Sequence, residues 1–209
     1  MLELEHYRPT ALESAVVSFY KKKGITNPCD INLEVFAYDA GIWIHELPMP
    51  STNYHFKHGY TIVLDNRLPY KQQRVELAHE LGHILLHCGR QEFMTDDFRA
   101  LQEWQADRFA MYALAPTFMI GNYLDYAYSR EQLVSHLADV FNVPDVFMDT
   151  RLDLLEQRIR TLAAEAKLAE AIREASASYD YSFRHPLNHR IEYLVRDGQV
   201  IGRRRRAEI

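Results

Sequence analysis

Residues 78–87 read Ala-His-Glu-Leu-Gly-His-Ile-Leu-Leu-His, a His-Glu-x-x-His pattern set in an apolar run. Residues four apart on a helix lie one turn apart on the same face, about 6 Å along the axis. His79 and His83 can therefore converge on one tetrahedral ion, each at about 2.0–2.1 Å. Glu80 is rotated about 100° from His79, so it is aimed beside the ion and not onto it. A base placed there can take a proton from a water that the metal activates. A buried amphipathic helix that happens to contain histidines would show the same five residues, so the rest of the chain has to separate the two readings.

A second helical stretch, residues 98–114, contains Glu103-Trp-Gln-Ala-Asp107 and stops at Pro116. Two carboxylates at i and i+4 repel, and an ordinary surface helix gains nothing from them. A nearby cation makes sense of the pair. Glu103 can be a third ligand, and Asp107 can orient a ligating histidine through its other ring N–H or serve as the alternative ligand. His87, a further turn along from His83, is a capping or supporting residue, or the other alternative ligand. Three N/O ligands with a vacant fourth position describe a catalytic zinc site, whereas structural sites are usually closed by Cys or His. Imidazole and carboxylate also accept Mn2+ or Fe2+. The expected chemistry is amide hydrolysis without an acyl-enzyme, with Glu80 taking and later returning the proton.

These residues need elements to hold them. From Tyr70 to His87 the pattern is helical, and from Val75 it is apolar nearly all round, which belongs inside the molecule. Gly82 in mid-helix costs roughly 1 kcal/mol against alanine, so something should pass close to the backbone there. Ahead of it, residues 42–45, 53–58 and 60–64 read as strands of a small antiparallel sheet whose edge could take an extended peptide. Tyr54 and Tyr60 on that sheet are candidate oxyanion stabilisers. His45, His55 and His58 are surface or strand histidines, because nothing pairs them at ligand spacing. Residues 10–23, capped by Thr10 and stopped by Gly24, and residues 30–40 read as two structural helices.

Downstream, residues 130–141 and 145–155 have the rhythm of a helix-turn-helix. Its second helix sets Asp145, Asp149 and Asp153 against Arg151 alone, so phosphates would be repelled and the unit reads as packing. Residues 156–177 read as a long solvent-edged helix or coiled-coil contact. Residues 191–201 suggest a hairpin with an Asp-Gly turn, and Arg203 to Arg206 form a basic run read as a solvated tail. The expected organisation is one domain over residues 1–155, with a helix-turn-helix-like unit at about 129–155, and an extension over 156–209.

Composition sets the limits. Net charge is −5 over 209 residues, which gives the whole molecule no general attraction to nucleic acid or anionic membrane. No apolar run approaches the ~20 residues of a membrane span, and the acidic N-terminus lacks the features of a signal peptide. Cys29 and Cys88 have no CxxC spacing and read as two reduced thiols of a cytoplasmic protein.

HELGHILLH followed by EWQADRFAMYALAP resembles the ImmA/IrrE metallopeptidases, whose pattern is HExxH, a further histidine, then ExxA(D/N)xFA and a proline. Ile62-Val-Leu-Asp-Asn66 upstream and residues 137–152 downstream also fit, so the likeness covers about residues 30–155. It implies an α+β, mainly helical zincin-like domain in which His79 and His83 match the histidine ligands, Glu80 the catalytic glutamate and Glu103 the third ligand. It also implies a zinc endopeptidase that cleaves a helix-turn-helix repressor and so derepresses phage, mobile-element or stress genes. The alternative is a regulatory protein that sequesters such a partner without cutting it. Some relatives carry a DNA-binding domain ahead of the peptidase. The stretch before residue 30 is too short for one, so a separately encoded repressor is the expected partner, with no direct nucleic-acid binding by this chain.

Overall fold

The structure, a computed structural model, describes residues 4–57, 59–87, 94–126, 129–177 and 179–205. The chain divides into two compact units, residues 1–158 and 159–209. No described helix is long and apolar enough to cross a membrane. His58, Cys88 and Arg206 lie outside the described residues, while Cys29 is an exposed free thiol.

In the first unit, α1 (Ala11–Lys23) starts where Thr10 accepts a hydrogen bond from the Glu13 amide at 3.2 Å. It ends at Gly24, whose φ of +72° is a left-handed conformation that glycine adopts without strain. The expected second helix is shorter than residues 30–40. Pro28–Asp30 forms a 3₁₀ turn, and α2 (Leu33–Asp39) begins only after Asn32 caps it through the Val35 amide.

Three strands follow, β1 (Ile42–Leu47), β2 (Thr52–Phe56) and β3 (Gly59–Asp65), in the order β1-β3-β2. The sheet is mixed and not antiparallel throughout. β2 pairs with β3 as an antiparallel hairpin, but β1 runs parallel to β3, with Ile42 opposite Tyr60 and Ile44 opposite Ile62. Consecutive Ile62, Val63 and Leu64 are all buried. A strand that is apolar on both faces belongs in the middle of a sheet, so β3 takes the centre and leaves β1 and β2 as edges.

The helices α3 (Tyr70–Leu86) and α4 (Asp96–Leu114) form the body of the unit. Leu77, Ala78 and Leu81 of α3 are buried, as are Ala106, Ala110 and Ala113 of α4. They meet most closely at Gly82. A Cβ placed there would stand 3.0 Å from the Ala106 Cα and 3.2 Å from both the Ala106 oxygen and the Phe109 Cβ. The mid-helix glycine is thus the cost of a close crossing, as its presence in an apolar helix implied.

After α5 (Thr117–Ile120), α6 (Arg130–Val140) and α7 (Asp145–Ala177) meet through the tight turn at residues 141–144. Leu137, Phe141, Val143, Met148, Leu152 and Leu155 are all essentially inaccessible there. Arg130 fastens the pair by reaching Asp149 at 2.7 Å, Asp153 at 2.6 Å and Glu156 at 2.6 Å. Arg151, the lone cation read on the second helix, is fully buried. Its guanidinium bonds the Ala115 carbonyl at 2.9 Å and the Thr117 hydroxyl at 2.8 Å, and faces the buried Glu13 carboxylate at 3.5 Å. Glu13 in turn accepts hydrogen bonds from Tyr7 and Thr117. Residues up to 158 are therefore closed around an ion pair joining α1 to α7.

The second unit holds one strand more than the expected helix and hairpin. α7 runs without a break to Ala177, and three strands follow, β4 (Tyr181–His185), β5 (Asn188–Arg196) and β6 (Gln199–Arg205). They form an antiparallel sheet in the order β4-β5-β6. The Asp197-Gly198 turn expected between β5 and β6 is present, with φ of 48° and 76°. The extra strand β4 pairs Phe183 with Tyr193.

Two stability outcomes follow from this packing. Gly82→Ala overpacks the α3–α4 crossing by about 1–3 kcal/mol and recovers about 1 kcal/mol of helix propensity. The net expectation is a loss of roughly 1 kcal/mol, read as a lower urea midpoint with an unchanged slope. Arg151→Met strands a buried carboxylate and should cost about 3–5 kcal/mol. Glu13→Gln combined with Arg151→Met should cost less than the sum of the two single changes.

Candidate metal centre

α3 is amphipathic in a particular sense: its buried side packs on α4 and the sheet, and its histidines look into the seam between α3 and α4. His79 and His83 stand one turn apart with their Nε2 atoms 2.9 Å from each other. Glu103 of α4 places Oε2 3.2 Å from the first and 3.3 Å from the second. These three form the one such cluster able to hold a metal among the described residues. A tetrahedral ion bound at about 2.0–2.1 Å keeps its ligand atoms roughly 3.3 Å apart, so the spacing suits a divalent ion of zinc's size.

The hydrogen bonds around the cluster explain why both rings face inward. Asp107 Oδ1 lies 2.9 Å from His79 Nδ1. A carboxylate only accepts, so that nitrogen carries the proton and Nε2 presents a lone pair. His83 Nδ1 lies 3.2 Å from His87 Nδ1, and His87 Nε2 lies 3.0 Å from Gln105 Oε1. With the amide oxygen accepting, His87 donates from Nε2 and accepts at Nδ1, so His83 too holds its proton on Nδ1. Two imidazole lone pairs and a carboxylate oxygen then point at one place. Such a convergence asks for a cation, and the donor types match zinc, manganese or iron.

Electrostatics of the protein groups differ between the two rings. Burial works against a charged His79, but the hydrogen bond and charge of Asp107, with Glu80 and Glu103 beyond, outweigh it and hold its pKa above the ordinary value. Burial, then the neighbouring His79, pushes His83 down. Glu80 is only 7% exposed, and burial lifts its carboxyl above the usual carboxylate range against the pull of Asn53 and His79.

Asn53 was not among the residues singled out from the sequence. Its Nδ2 donates to Glu80 Oε2 at 2.6 Å, tying β2 to the helix of the motif. Side chains alternate along a strand, so Asn53 and its partner Ile62 share the inner face and Tyr54 points to the other. Tyr54, 43% exposed, thus lies on the sheet face away from Asn53. Tyr60 is on the inner face, stacked on His55 at 4.6 Å. His45 and His55 are exposed strand residues. His87 caps the C-terminus of α3 and meets the cluster through His83. Gln105 was also missed. Two residues from Glu103 it falls on a different helix face, and it matters only because His87 leaves the helix at its end.

A helix-borne pair of histidines, a carboxylate from the next helix and a small mixed sheet define an α+β metallopeptidase-type domain of the zincin-like class. Residues 37–153 match the Peptidase_M78 family, described as the IrrE N-terminal-like domain. The chain belongs to this ImmA/IrrE family. It is 35% identical over 158 residues to the phage-like element PBSX protein XkdA of Bacillus subtilis (strain 168), covering 76% of this chain and 79% of that protein. It is 30% identical over 155 residues to the uncharacterised protein YqaB of the same strain, covering 73% and 88%. A solved Mycobacterium tuberculosis transcriptional regulator aligns at 18% identity with a TM-score of 0.48, over 68% of this chain and 47% of that one.

The supporting hydrogen bonds are open to measurement. Asp107→Asn and Gln105→Ala should each weaken zinc retention roughly 10–100-fold, read by competition with a chelating dye. Asp107, exposed, should do so without a change in thermal unfolding of the metal-free protein.

Proposed function

We propose that the chain is a metal-dependent endopeptidase whose substrate is a separately encoded helix-turn-helix repressor. The observation that carries the hydrolytic reading is the convergence of His79 Nε2, His83 Nε2 and Glu103 Oε2 within 2.9–3.3 Å, with Glu80 one residue along the same helix. His79, His83 and Glu103 would hold a divalent ion, zinc first among the candidates. Such an ion supplies Lewis acidity, which polarises the scissile carbonyl and makes water a nucleophile near neutral pH.

The rest of the work falls to the chain. Glu80 takes the proton of the attacking water and delivers it to the leaving amine. Asn53, 2.6 Å from Glu80 Oε2, holds the carboxylate in one orientation so that its other oxygen can face the water. Asp107 fixes His79, and the His87–Gln105 pair fixes His83, each through the ring nitrogen turned away from the centre. β2 is an edge strand that carries Asn53, and its outer side can pair with an extended substrate main chain. A segment bound there lies next to Glu80, which favours an endopeptidase acting on an exposed loop or linker.

Two things support a repressor as the substrate: the functions associated with the ImmA/IrrE family, and the likeness to a protein of a phage-like element. Purified chain with zinc, incubated with the repressor encoded beside its gene, should yield two fragments. Glu80→Gln should cut at least 10²-fold more slowly, the low end of what a positioned acid–base group contributes, while binding zinc as before. Equal cleavage by the variant, or an intact repressor in every incubation, would remove the proposal. Chelation should abolish cutting and zinc should restore it.

A further inference from the structure

The basic run at residues 203–206 reads in the sequence as a solvated tail, but residues 203–205 belong to β6. Strand geometry splits them. Arg204 turns to one face of the sheet, where it bonds Glu192 at 2.8 Å and stands 5.6 Å from the centre of the Tyr179 ring. Ser182 donates to Glu192 on that same face. Arg203 and Arg205 turn to the other face, opposite Tyr193 and Ile191 of β5.

On that second face Phe183, Tyr193 and Arg203 are directly in register across the three strands. Tyr193 lies at the centre of an aromatic group, 5.3 Å from Phe183 and 5.7 Å from His185. Tyr181 stands two residues before Phe183 in β4, so it shares the face. The apolar rings are open to solvent, Phe183 at 43% and Tyr181 at 55%. Arg203 and Arg205 are exposed and enter no ion pair among the described residues. Glu192 is the one carboxylate in the three strands, and it faces the other way. The face therefore combines stackable rings with unneutralised guanidinium groups and carries no acid.

We infer that this face of the β4-β5-β6 sheet binds single-stranded nucleic acid. Exposed rings on a sheet stack unpaired bases, each of which offers a flat π-face, while neighbouring arginines neutralise phosphates. An acidic peptide would use the arginines and leave the rings without a purpose. A duplex keeps its bases stacked on one another and offers the rings nothing. The inference concerns the second unit only and is independent of the peptidase reading. The net charge of −5 argued against nucleic acid for the molecule as a whole, but it is an average over the chain and does not describe this face.

The test is fluorescence polarisation of labelled oligo(dT) and oligo(U) with the full chain over a range of salt. Two phosphate contacts predict a slope of about −1.4 for log K against log salt, from ~0.7 per phosphate on a single strand. Arg203→Ser with Arg205→Ser should flatten that slope towards zero. Phe183→Ala should weaken binding roughly tenfold. Arg184→Ser on the opposite face and Glu80→Gln should bind as the parent does. All the arginine changes are at exposed positions, so circular dichroism should be unchanged. The inference is overturned by absence of binding, by equal affinity for duplex, or by displacement with polyglutamate at equal charge. It is also overturned by a dimer in sedimentation that the double arginine change dissolves, since a second copy would then be the occupant.

Discussion

The approach of α3 and α4 at Gly82 and Ala106 is the constraint on which the candidate centre depends. Glu103 is on one helix and both histidines are on the other, so their separation is set by how near the two backbones come. With 3.0 Å between an added Cβ and the Ala106 Cα, even a methyl group at residue 82 would make the facing backbone give way by a few tenths of an ångström. Alanines 106, 110 and 113 line the facing side of α4 for the same reason. Moving the two backbones apart would move Glu103 off the two Nε2 atoms, because packed interiors transmit strain instead of absorbing it.

Around that crossing the protein anchors the polar groups of the site from three elements. Asp107 and Gln105 come from α4, His87 from the end of α3, and Asn53 from the edge strand β2. The last of these ties an edge strand of the sheet to Glu80. Farther out, the Glu13–Arg151 pair and the Arg130 clamp hold the N-terminal helix and the α6–α7 turn in place. Burying Arg151 also takes that cation of the second helix out of reach of solvent.

The two sheets show opposite uses of strand alternation. In the first, alternation turns Asn53 inward and Tyr54 outward, so two neighbours in sequence have unrelated roles. In the second, it separates Arg204, paired and structural, from Arg203 and Arg205, which share a face with the aromatic side chains. Neither division follows from residue type. It follows from which residue of each strand happens to lie opposite which partner.

The sequence by itself determined the helices and the donor types. His-Glu-x-x-His at helical spacing, the paired carboxylates four apart, and a glycine in an apolar helix are local patterns with local physical causes. They point to His79, His83 and Glu103 as ligands, to Asp107 and His87 as supporting or alternative ones, and to a close approach at Gly82. Only the tertiary structure decided what depends on partners distant in the chain: the parallel pairing of β1 with β3, Asn53 on Glu80, Gln105 behind His87, and Arg151 in the core. Strand order and register are set by which surfaces are buried together, and burial is a property of the whole fold. That is why residues 203–205, a basic run by composition, become a strand with two different faces only when β5 lies beside them.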